Sequence, residues 1–93
     1  MNTQTVGIYA LYMRCYQFTR SIKPWLFKTG NAKRRNIEDT VNWLDRNLPK
    51  EPYRAKELNA LLDYNDRQFN IEDDYINDVL HDALEILIKQ GTL

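Results

Sequence analysis

The segment Ile71-Glu-Asp-Asp-Tyr-Ile-Asn-Asp-Val-Leu-His-Asp-Ala-Leu-Glu-Ile-Leu-Ile-Lys-Gln90 decides the fold class, because its apolar residues recur at threes and fours along the longest helix the chain predicts. Ile76, Leu80, Ala83 and Leu87 fall on one line, flanked by Val79, Leu84, Ile86 and Ile88. An apolar arc approaching half the helix circumference needs two neighbours, so this helix is expected at the centre of the core or of a homodimer interface. Asn70 is the expected N-cap, Glu72 and Asp73 complement the helix dipole, and Gly91 is the expected stop.

Further helices precede it. Ala55, Leu58, Leu61 and Leu62 mark a short one, followed by a polar turn from Asp63 to Arg67. Before that, Ile37, Val41, Leu44 and Leu48 form the stripe of a helix opened by Asn36 as N-cap, with Glu38 and Asp39 in its first turn and Pro49 and Pro52 beyond its end. From Ile8 to Leu26 the apolar spacing is again helical, and Pro24 stops a helix near Ile22. The Tyr and Thr content of residues 5 to 13 also suits a short N-terminal strand. Lys28 to Arg35 reads as a basic loop around Gly30 and Asn31. The expected fold is therefore mainly α, a compact four-helix domain. At 93 residues the chain predicts one domain, 1–93, made of a basic aromatic region (1–35) and an acidic helical region (36–93). Asn-Ile-Glu-Asp occurs at both 36–39 and 70–73, and reads as one capping solution used twice rather than a repeat.

The succession of a helix over 37–48, a connector, Arg54-Ala-Lys-Glu-Leu-Asn-Ala-Leu-Leu62, a turn, a long helix and Leu87-Ile-Lys-Gln-Gly-Thr-Leu93 resembles the winged-helix branch of the helix-turn-helix superfamily. The likeness spans about 55 residues. It implies that Lys56 to Leu62 form the helix before the turn and that Leu87 to Leu93 close the third helix and enter a wing, which at Leu93 is incomplete. The helix that such a domain inserts into the major groove here carries Glu72, Asp73, Asp74, Asp78 and Asp82. Phosphates repel it, so the usual docking is not expected. Protein contacts, which many winged-helix domains make, are the other implication.

The net charge of zero conceals a strong asymmetry. Residues 1–35 hold seven Lys and Arg and no acid, while residues 36–93 hold six basic and thirteen acidic side chains. A one-signed surface attracts the opposite charge over roughly 8–10 Å at physiological salt. Arg20, Lys23, Lys28, Lys33, Arg34 and Arg35, interleaved with Trp25 and Phe27, suit nucleic acid: cations meet phosphates and aromatic faces meet bases. The opposing interpretation is a solvated surface with the aromatics in the core. Asp74, Asp78, Asp82 and Glu85, with Asp63 and Asp66, form an acidic face that suits a basic protein partner or simply solubility.

Catalysis and metal binding find little footing. His81 is the only histidine, near Asp74 and Asp78, and a metal would need matching ligands from another helix. The three glycines, at 7, 30 and 91, make no phosphate loop, and Cys15 and His81 stand in no nucleophile signature. No enzyme activity and no cofactor are expected. Cys15 cannot form an intramolecular disulfide, and among Tyr12, Met13 and Tyr16 it reads as a small buried thiol. No apolar run approaches the roughly 20 residues that span a bilayer, and Val6 to Met13 lacks the basic leader of a signal peptide, so a cytoplasmic location without membrane is expected. The expected function is a small non-enzymatic nucleic-acid-associated accessory or regulatory protein. The alternative is a protein-binding adaptor or inhibitor of the phage or accessory type, acting through its acidic helix face or aromatic N-terminal region.

Overall fold

In the computed structural model the described residues are 3–22, 30–67 and 73–91, with side chains from 7, 31 and 73 onward in the three stretches. They form four helices, α1 (Thr3–Ile22), α2 (Gly30–Asn47), α3 (Tyr53–Asp66) and α4 (Asp74–Gln90), and no strand is present among them. Residues 5 to 13, which suit a strand by composition, lie within α1. Helical burial wins there because Ile8, Leu11, Tyr12 and Cys15 then share one face, whereas a strand would send Leu11 and Tyr12 to opposite sides.

α4 is the hub. It packs against α1, α2 and α3, and Ile76, Val79, Leu80, Ala83, Leu84 and Leu87 are all buried by those neighbours. The broad arc that suited either a core or a dimer seam is thus covered within the chain, with Ile86 alone of its apolar residues exposed. The helix opens at Asp73 rather than at Asn70: the Asp73 carboxylate accepts from the backbone N–H of Tyr75 (3.0 Å) and Ile76 (3.3 Å). Asn70 and Glu72 lie outside the described residues. Gly91 ends α4 as expected, its N–H donating to the Leu87 and Ile88 carbonyls from an ordinary right-handed conformation.

α2 begins seven residues earlier than the capping pattern predicts, at Gly30 rather than Ile37. The stretch Lys33-Arg-Arg35 consists of good helix formers, and starting at Gly30 lets Ala32, Asn36, Thr40, Leu44 and Leu48 form one buried line at every fourth position. Asn36 is therefore not a cap. It is buried inside the helix, where its amide donates to the Tyr75 hydroxyl at 2.6 Å and ties α2 to the first turn of α4. Glu38 and Asp39 consequently sit two turns into α2, away from its N-terminal N–H groups. Ile37 and Val41, expected on the stripe, are only partly buried and flank the core.

α3 also outruns its prediction. Asp63 to Asp66 continue the helix rather than forming a turn, because Asn65 has a use inside: its amide donates to the Asn77 carbonyl (3.2 Å) and its oxygen accepts from the Tyr12 hydroxyl (2.9 Å). At the other end, the Arg54 guanidinium donates to the Asp45 carboxylate (2.7 Å) and to the carbonyls of Asp45 (3.0 Å) and Pro49 (3.1 Å), satisfying the open C-terminus of α2. α3 and α4 meet along their lengths, from Asn65 and Asn77 at one end to Ala55 and Leu87 at the other.

Candidate nucleic-acid interface

Three consecutive residues on a helix point in directions about 100° apart. With α2 starting at Gly30, Lys33, Arg34 and Arg35 are helical and fan round the axis, where a loop could have aimed them together. Lys33 turns to α4, its Nζ 3.8 Å from the Asp78 carboxylate. Arg34 and Arg35 are exposed, and among the described residues neither has an ion-pair partner. Glu38 and Asp39 follow them one turn on, so the local potential is positive but tempered.

Arg20 stands elsewhere. It is exposed in the last turn of α1 and lines an opening with Tyr16, Asp73 and Ile76, on the flank that faces α4. Lys23, Trp25 and Lys28, together with Phe27, lie outside the described residues. Among the described residues the sequence-predicted cations are thus divided between Arg34 and Arg35, outward on α2, and Arg20 and Lys33 beside the acidic start of α4.

The structure adds residues that linear inspection missed. The Phe18 ring lies nearly parallel to the Trp43 indole, with centroids 5.7 Å apart and planes inclined by 23°, and the Arg14 guanidinium sits over that indole at 5.8 Å. Arg14 and Phe18 are one turn apart on α1, and Trp43 adjoins the buried Leu44 on α2. The available signal was the i,i+4 spacing of Arg14 and Phe18 at the edge of the apolar stripe. Thr19 and Thr40, both buried, share a hydrogen bond of 3.1 Å just behind this cluster and pin the two helices together.

The acidic face is partly engaged. Asp74 and Asp78 are exposed, and Asp82 and Glu85 are half-buried. Asp78 faces Lys33, and Glu85 lies 3.5 Å from the His81 Nε2, whose Nδ1 is 3.4 Å from Asp66. Asp63 is paired with Arg67 at 3.0 Å. Among the described residues no group of His, Cys, Asp and Glu could hold a metal ion.

Cys15 is buried, and burial pushes its thiol up to about 12, against a weaker opposing effect from its hydrogen bond with Thr19. Burial, and then the neighbouring Tyr16 and Cys15, hold the Tyr12 phenol above its ordinary range. No described helix is long and apolar enough to cross a membrane. Comparison with known protein families, with characterised proteins and with solved structures finds no match.

Proposed function

We propose that this chain is a small nucleic-acid-associated accessory or regulatory protein that makes phosphate contacts through the exposed arginines of α1 and α2. The supporting observation is that Arg34 and Arg35 project from α2 without an ion-pair partner among the described residues, in a chain whose first 35 residues contain no acid. Lys33 contributes less, since Asp78 already faces it. Where helix order is matched to the winged-helix resemblance, α2, α3 and α4 take the places of its three helices; the acids of α4 then keep it out of the groove and leave contact to the α1–α2 side.

The role is binding rather than catalysis. The sole thiol is buried and held protonated, and His81 stands between two carboxylates instead of beside a nucleophile. The buried free thiol also suits a reducing, cytoplasmic setting. Electrophoretic mobility shift at low and moderate salt tests the proposal. Binding that weakens steeply with salt and is reduced in Arg34→Ala/Arg35→Ala supports it, and no binding to duplex or single strand at low salt removes it.

A second proposal, an adaptor or inhibitor acting on a protein, is favoured by one feature. Tyr9 is 50% and Tyr53 58% exposed, and Ile8 shares a shallow opening with Tyr53 at the α1–α3 edge. Absence of any nucleic-acid binding would make that aromatic edge the leading surface.

A further inference from the structure

The exposed Arg14 and the half-buried Phe18 and Trp43, the indole resting on the core, form a ledge where α1 meets α2. Arg35 and Arg46 are eleven residues apart on α2, close to three full turns, so they fall on nearly one line, and Trp43 lies within about 80° of it. Arg14, Arg35 and Arg46 are all exposed and have no ion-pair partner among the described residues. Asp39, half-buried, is a carboxylate on the same flank.

We infer that this ledge takes an unpaired base of a single-stranded nucleic acid on the Trp43 indole, with the three arginines on the flanking phosphates. The inference rests on the nucleic-acid proposal above and names its substrate class. A duplex keeps its base faces stacked and offers only groove edges, which leave an aromatic ring face without a partner. A single strand offers both the π-face and the charge that this surface complements.

The resting position of Arg14 helps rather than hinders. An exposed guanidinium over an indole is held weakly, whereas a base on the same face is held more strongly. Arg14 can therefore yield the ring to the base and turn to the adjacent phosphate. Phe18 keeps its own stack on the indole, with centroids 5.7 Å apart.

The test titrates the full chain with a short oligothymidylate, a mixed-sequence duplex and polyglutamate, following both anisotropy and tryptophan emission. Oligothymidylate is expected to bind and quench the emission. Trp43→Leu, which keeps an apolar group against Phe18, is expected to weaken single-strand binding about 5- to 100-fold, while Trp43→Phe retains most of it. Asp39→Asn is expected to tighten it. Single strand and duplex binding alike without quenching overturns the ledge and leaves the wider proposal standing. Polyglutamate binding as tightly as oligothymidylate overturns it too, and binding of no nucleic acid at all overturns both.

Discussion

Tyr12 and Asn65 form the tie that seats α1 on the rest of the molecule, and removing half of it has a calculable cost. The Tyr12 hydroxyl donates to the Asn65 oxygen at 2.9 Å, and the two residues are 2% and 1% exposed. Tyr12→Phe leaves that oxygen buried without its donor, a penalty of about 1–3 kcal/mol. For a domain of this size each kcal/mol shifts the melting midpoint by about 4–8 °C, so Tm should fall by roughly 5–20 °C. Asn65→Leu strands the phenol in turn and costs a similar amount. In the double variant both orphans disappear together. The Asn77 carbonyl, which loses the Asn65 amide, stays satisfied by its own helix. The double variant should therefore cost about 1–2 kcal/mol less than the two single effects combined, measured by urea unfolding followed by far-ultraviolet circular dichroism. Additivity within about 0.5 kcal/mol would refute the idea that this bond is a coupled, desolvated tie.

Other perturbations follow from the same packing. Leu44→Ala, at a position 0% exposed where α2 meets the core, should destabilise by about 2–5 kcal/mol in the same unfolding assay. Asp73→Ala removes the acceptor for two N–H groups of α4 and should cost about 1 kcal/mol, with Asp73→Ser recovering most of it. Cys15 should resist a water-soluble disulfide reagent in the native protein and react on unfolding; fast native reaction would place the thiol outside the core. Stability should also fall in alkali. The folded thiol keeps its proton up to about 12 while the unfolded one releases it from about 9.0, so the contribution is complete below pH 9 and declines by about 1.4 kcal/mol per unit above it, with Tyr12 adding in the same direction. A melting midpoint flat from pH 9 to pH 11 would contradict this.

The helices were legible from their apolar spacing, which is strong in α2 and α4 and weaker in α1 and α3. The buried line of α4 and the stop at Gly91 follow from spacing and a glycine alone. Boundaries were harder where a polar residue has two uses. Asn36 and Asn65 look like a cap and a turn residue, because Asn usually serves those roles, yet here each spends its amide on a partner in another element. Such a partner is invisible until the helices are packed. The candidate interface failed to read linearly for the same reason. Lys33-Arg-Arg35 is one cluster along the chain, but helical geometry spreads it, and the Phe18 and Trp43 pair joins residues 25 positions apart. Sequence asymmetry told which half carries the positive charge; only packing told which cations keep it available.

Phosphate contact by the exposed α1–α2 arginines is tested most directly by the salt dependence of oligonucleotide affinity. Each phosphate-bound cation contributes about 0.7–0.9 to the slope of log K against log salt. Replacing Arg34 and Arg35 together by Ala should flatten that slope by about 1.5, while Lys89→Ala, at the far end of α4, leaves it unchanged. A slope identical in all three proteins would show that the phosphates lie on some other surface.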